Sequence, residues 1–162
     1  MAETVRIPVI ACGGFASGEG LAAALSMGAG AIAMGSRFIA SKDSEFHEKY
    51  KNIVPSAKAD DTIWVTGVLG PIRLWRNEYS LHHGVISSKE EKMALEAKIT
   101  PQMALEDQKH YEKTYEGDIT DGAVLLGQSI GLIDSIESVK DIIDNIVKKA
   151  QECLENTTHI IK

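Results

Sequence analysis

Ile7-Pro8-Val9-Ile10-Ala11-Cys12-Gly13-Gly14 and, one helix further on, Ala31-Ile32-Ala33-Met34-Gly35-Ser36 decide how this chain folds. Residues 7–11 are a short, continuously apolar run, the type buried on both faces of a parallel sheet. Gly13-Gly14 ends it with a pair that can turn tightly and bring backbone N–H groups close to a ligand. Ser17 is placed to cap a helix over 18–28, where Leu21-Ala22-Ala23-Ala24-Leu25 favours helix and Gly28 and Gly30 stand at its C-terminal end. A second apolar strand over 31–34 closes on Gly35-Ser36. Strand, loop, helix and strand in this order make one βαβ unit, with parallel strands and a right-handed crossover.

Beyond that unit the pattern changes. Residues 43–54 read as helix, stopped by Pro55, and 63–66 as an extended segment leading into a Gly67/Gly70-Pro71 turn. A polar helix is expected over 88–97, capped by Ser87 or Ser88, and Thr100-Pro101 starts another that runs to Tyr115. Gly117-Asp118 breaks it, and 121–130 read as helical. An amphipathic helix follows over 136–154, with Val139, Ile142, Ile143, Ile146, Val147 and Ala150 at helical spacing. There is no internal repeat and no low-complexity segment.

The chain has 162 residues, 44% apolar and 25% charged, which suits a globular protein with a hydrophobic core and argues against disorder. Its net charge of −6, with basic residues scattered among acidic ones, speaks against a nucleic-acid surface. No apolar run approaches a membrane span, and the first residues lack a signal-peptide pattern. Cys12 and Cys153 make neither a disulfide framework nor a metal-ligand spacing, so a reducing cytoplasm is expected. A core-type strand so near Met1 suggests a chain that starts inside its core.

Two Gly loops, each directly after a strand, are the sharpest chemical feature. At the C-terminal ends of parallel strands such loops aim N–H groups at an anion, and in a (β/α)₈ barrel the last two form the usual phosphate site. Ser36 can add a hydroxyl and Arg37 a charge; the plainer reading is that these glycines only permit tight turns. Cys12 reads as a small core residue. His82-His83-Gly84 reads as a solvated loop pair, His47, His110 and His159 as surface or helix-edge groups, and Lys89-Glu90-Glu91-Lys92 as a solvated helix face. Trp64 and Trp75 read as core. Gly127 and Gly131 suit a small-residue packing site as well as a ligand contact.

With Gly18, Gly20, Met27-Gly28-Ala29, Arg37-Phe38, His47, Tyr50-Lys51, Val65-Thr66-Gly67, Arg73, Asn77 and Gly127-Gln128…Gly131-Leu132-Ile133, these motifs resemble the C-terminal half of the nitronate monooxygenase (2-nitropropane dioxygenase) family. That family includes the FMN-dependent enoyl-acyl-carrier-protein reductase II. The resemblance implies an α/β fold: the last two βα units of a TIM barrel over 1–55, an inserted, mostly helical region over 56–120, and C-terminal helices packing on the barrel over 121–162. It implies FMN as cofactor, with Gly13, Gly14, Gly35 and Ser36 at its phosphate and Gln128 and Ser129 near it. It implies a nitronate or enoyl thioester as small-molecule substrate, with NAD(P)H as a possible reductant. The family's His-rich motif, which carries the catalytic base, is absent, so the base is expected outside this chain, along with the barrel's earlier βα units. Inosine monophosphate dehydrogenase shares the Gly-Gly and Met-Gly-Ser pattern but lacks the Gly-Gln tail, and its catalytic Cys loop is absent here. The rival reading is a non-catalytic binding or assembly module, whose unpaired strand edges would call for a partner chain or a homo-oligomer.

Overall fold

The structure, a computed structural model, describes residues 2–67, 70–83 and 88–161. Strand β1 (Ile10–Cys12) leads through the Gly pair to helix α1 (Gly18–Ser26). Ser17 is extended, and its hydroxyl accepts the Gly20 N–H at 3.3 Å, which starts α1 where the sequence places it. After α1, Gly28 takes a φ of 86° and the chain returns as β2 (Ala31–Ala33). β1 and β2 pair in parallel, Ile10 with Ala31, Ala11 with Ile32 and Cys12 with Ala33. The expected βαβ unit is formed.

Its burial differs from expectation. The strand covers 10–12, Ile7 and Ile10 are 73% and 61% exposed, and Cys12 is exposed as well. A two-stranded sheet has a free edge on both sides, so apolar strand residues suited to a deep core stand open.

Past β2 come α2 (Ser36–Ile39) and α3 (Glu48–Ile53), the latter capped by the His47 ring, which accepts the Lys49 N–H at 3.1 Å. A 3₁₀ turn, Val54–Ser56, carries the Pro55 stop. Strands β3 (Thr62–Gly67) and β4 (Gly70–Trp75) then form an antiparallel hairpin within the stretch read as mostly helical. Trp64 projects from it 45% exposed, under the Arg73 guanidinium at 5.3 Å, while Trp75 does pack on the core. Short helix α4 (Glu78–Leu81) follows, then α5 (Lys89–Glu96), capped by Ser88, and α6 (Pro101–Tyr115), capped by Thr100. Ser87, the other cap candidate, and Gly84 lie outside the described residues.

The expected helix over 121–130 is replaced by an extended segment. Val124 O accepts the Trp75 N–H at 2.8 Å and Leu125 bridges Leu74, so the segment lies beside β4. Only Gln128–Leu132 coils, as a 3₁₀ turn. An unbroken apolar run fits strand or helix equally by pattern, and here the neighbouring strand supplies the backbone partners. Val124, Leu126, Ile130 and Ile133 enter the main core with Tyr50, Ile53 and Val54.

Helix α7 (Val139–Ile160) is longer than expected and packs on α1. Ile142, Ile146 and Ala150 are buried, whereas Ile143 and Val147 of the same stripe are 46% and 53% exposed. The stripe is wider than the face that α1 covers. Burying the two isoleucines contributes roughly 1.5–3 kcal/mol each. No helix among the described residues is long and apolar enough to cross a membrane.

Candidate functional site

Because Cys12 pairs with Ala33, the Gly13-Gly14 and Gly35-Ser36 loops leave the sheet side by side at the C-terminal ends of two parallel strands. Gly13 and Gly14 adopt φ of 94° and 80°, values that side chains rarely tolerate. A Cβ added at Gly13, Gly14 or Gly35 would meet nothing within 4 Å, so all three border open space. Their N–H groups donate to no protein acceptor among the described residues. Consecutive glycines whose N–H groups no protein acceptor engages are the elements of an anion-binding nest.

The third contribution comes from the far side of the sequence. Ser36 is 7% exposed, and its hydroxyl accepts the Gly127 N–H at 2.9 Å. A Cβ at Gly127 would lie 3.5 Å from Ser36 Oγ and 3.7 Å from Ser129 Oγ, so both hydroxyls flank this glycine. Ser129 is buried and Gln128 exposed. Of the residues singled out in the sequence, Gly13, Gly14, Gly35 and Ser36 thus cluster at two adjacent strand ends, and the Gly127 segment with Ser129 reaches them through Ser36.

Arg37 does not turn its charge to these loops. It is 5% exposed, donates to Ser135 O at 3.0 Å and pairs with Glu137 at 3.4 Å. Burial pushes its pKa down, and Glu137 and Asp134 oppose the shift. Its role is to tie α2 to the segment before α7, as the link from Lys42 N–H to Glu137 O at 2.8 Å also does.

A second polar cluster was not legible in the sequence. Tyr79 of α4 donates its hydroxyl to Asp107 of α6 and stacks on His110, with ring centroids 4.3 Å apart. His83 packs against Tyr79 at 4.4 Å and points Nε2 at Asp107, 3.6 Å away. His83 is therefore no solvated loop residue: its side chain is 20% exposed, whereas His82 is exposed as expected. His110 is likewise partly buried, while His159 lies exposed in the last turn of α7. The tyrosine and aspartate are far apart in sequence, and only the docking of α6 on α4 joins them. No set of three or more His, Cys, Asp or Glu side chains that could hold a metal occurs among the described residues.

A family model described as nitronate monooxygenase matches residues 1–149. The chain belongs to the nitronate monooxygenase family. Among solved structures, this family member resembles FabK from Thermotoga maritima, with 35% identity and a TM-score of 0.80 over 98% of this chain and 49% of that one. Nitroalkane oxidase from Streptomyces ansochromogenes, at 22% identity and a TM-score of 0.73 over 95% of this chain and 42% of that one, shares the fold. A probable nitronate monooxygenase of Staphylococcus saprophyticus is 27% identical over 95% of this chain and 42% of its own. The family member spans about half the length of the curated relatives it matches: the first, a carboxyl-CoA dehydrogenase of Rhodococcus jostii at 29% identity, is covered over 51%.

Proposed function

We propose that this family member supplies the phosphate-holding end of an FMN-dependent oxidoreductase acting on a nitronate. In this reading residues 1–55 are the last two βα units of a TIM barrel, 56–120 an inserted region, and 121–162 the segment that packs on the barrel. The observation that carries it is the juxtaposition of Gly13, Gly14 and Gly35 at neighbouring strand ends, where an added Cβ would meet only open space and the N–H groups have no protein acceptor among the described residues. Those residues fit a phosphate: three N–H donors and no Cβ in the way of close approach. The phosphate charge is met by backbone dipoles, since Arg37 is committed to Glu137. Ser36 is oriented by the Gly127 N–H, and its own hydroxyl proton remains available to a phosphate oxygen. Bound there, FMN would supply the ring that takes up and passes on electrons. In this reading Gln128, exposed next to the Gly127 that bonds Ser36, meets the remainder of such a ligand.

A second reading, reduction of an enoyl thioester with NAD(P)H, follows from the enoyl-acyl-carrier-protein reductases that the resembled family includes, and its cofactor-phosphate site is the same.

The test is a fluorescence titration of the protein with FMN and with riboflavin, which lacks only the phosphate. Hydrogen bonds to a charged group contribute roughly 1.5–3 kcal/mol each, so two of them favour FMN by about a hundredfold or more. Equal affinity for the two flavins, or no uptake of FMN, overturns the proposal.

A further inference from the structure

Two adjoining apolar chambers have no part in the flavin reading. The first, of about 540 Å³, lies between α2, the loop that follows it and the first residue of α7, walled by Phe38, Ile39, Phe46 and Val139. Gly35 borders it, whereas Gly13 and Gly14 do not. The second, of about 290 Å³, lies between α3, α6 and the extended segment beside β4, with Tyr50, Tyr111 and Leu125 on its walls. Ile39, Phe46 and Tyr115 line both, so they form the partition between the chambers. Phe46 is held there by two rings: Tyr115 stacks on it at 4.9 Å, and Tyr50 meets it edge-on at 5.0 Å.

The polar groups on these walls are turned to the fold itself. Ser41 and Ser44 donate to Phe38 O and Ile39 O at 2.8 and 2.9 Å, and Asp43 accepts the Val139 N–H at 2.6 Å. In the second chamber Thr114 donates to His110 O at 3.2 Å, and Tyr50 donates to Leu125 O. What faces a ligand is therefore mainly ring and alkyl surface, which a hydrocarbon covers without leaving a polar group of its own unpaired. Charge narrows the ligand further. Asp43 and Glu45 border the first chamber, and neither Lys nor Arg lines either one, so an anionic head would meet like charge. A cationic head gains little, because Asp43 is engaged and Glu45 lies exposed, where ion pairs contribute little. A neutral head remains.

We propose that the first chamber binds the linear hydrocarbon chain of an uncharged amphiphile, its polar end at the Asp43–Glu45 side, and that Phe46 sets the chain length by closing the second chamber. Each methylene drawn out of water raises affinity about fourfold until the chain end meets the Phe46 ring. Further methylenes then stay in water and add nothing. The proposal does not rest on the flavin reading, and its test needs no cofactor.

The experiment titrates n-butanol, n-hexanol, n-octanol, n-decanol and n-hexanoate into the full chain at neutral pH, where the carboxylate is ionised. Methyl and aromatic ¹H–¹³C spectra report on the walls. The alcohols are expected to give saturable shifts at the Ile39 and Val139 methyls and the Phe46 ring. Affinity should rise about fourfold per methylene and level off by decanol, with the Leu125 methyls unmoved. Hexanoate is expected to bind about tenfold more weakly than hexanol, or worse. Phe46→Leu should carry the rise past the length at which the unaltered chain levels off, with new shifts at Leu125. Absence of saturable shifts, hexanoate binding as tightly as hexanol, equal shifts at the exposed Met27, or the same ladder in Phe46→Leu would each overturn the proposal. If Phe46→Leu folds poorly, the ladder on the unaltered chain decides: Leu125 shifting together with Ile39 overturns the role of Phe46.

Discussion

Replacing Gly18 by Ala tests how closely α1 lies on α7, the contact that fixes the helix following the Gly13-Gly14 loop. A Cβ at position 18 would stand 2.5 Å from Lys149 Cβ, 2.6 Å from Ile146 O and 2.8 Å from Ala150 N. Two of these three atoms are α7 backbone, so no change of rotamer relieves the overlap. Helix propensity pulls the other way, by up to about 1 kcal/mol for Gly→Ala in a helix interior and less at the first position. Overpacking costs roughly 1–3 kcal/mol where side chains can adjust, and here a helix must lift. A net loss of about 2–3 kcal/mol is expected, as α7 gives up part of the seal made by Ile142, Ile146 and Ala150. Gly20→Ala on the same helix is the control, because its nearest obstacle is the Phe15 ring at 3.1 Å, which can turn aside. Gly20→Ala is expected within about 0.5 kcal/mol of the parent. Urea unfolding followed by circular dichroism separates the two: Gly18→Ala lowers the midpoint with the slope unchanged. A Gly18→Ala protein as stable as the parent would refute the packing described here.

Ser36→Ala removes the acceptor of the half-buried Gly127 N–H, so unfolding experiments should register a loss of about 1 kcal/mol. The same variant should narrow the preference for FMN over riboflavin. At high pH, Tyr50, Tyr79 and Tyr111 dominate: burial is the first cause raising each phenol, with Asp107 adding to Tyr79 and Tyr111. A phenol raised in the folded state holds its proton after the unfolded one has lost it. Stability from these three is therefore full below about pH 10 and falls as pH rises further. In a Tyr115→Phe background, phenolate absorbance and loss of ellipticity should appear together; phenolate forming while the fold persists would contradict the burial of these rings.

What the sequence made legible is local. The Ser17 cap, the Thr100-Pro101 start of α6 and the apolar stripe of α7 depend on contacts within a few residues, and each leaves a pattern of spacing or residue type. The Gly pairs were equally visible, since their conformational freedom belongs to the residue. Strand β4 was hidden because Pro71 and Arg73 interrupt the apolar alternation that marks a strand. The 121–130 segment was misread because an apolar run looks alike in helix and strand, and its partner, β4, was itself missed. Ser36 and Gly127 lie 91 residues apart, and Tyr79 and Asp107 lie 28 apart, so neither contact leaves a mark in local sequence. The exposure of Ile7, Ile10 and Cys12 shows the converse limit: composition records what a strand is suited to lie against, whereas burial depends on what lies there.

That Gly13, Gly14 and Gly35 turn their N–H groups on one phosphate is tested most directly by amide ¹H–¹⁵N spectra during an FMN titration, with riboflavin in parallel. FMN should move the amide resonances of these three glycines and of Ser36 downfield together along one saturation curve, while riboflavin leaves them in place. Equal shifts with riboflavin, or FMN shifts confined to other residues, would contradict the assignment of this cradle to the cofactor phosphate.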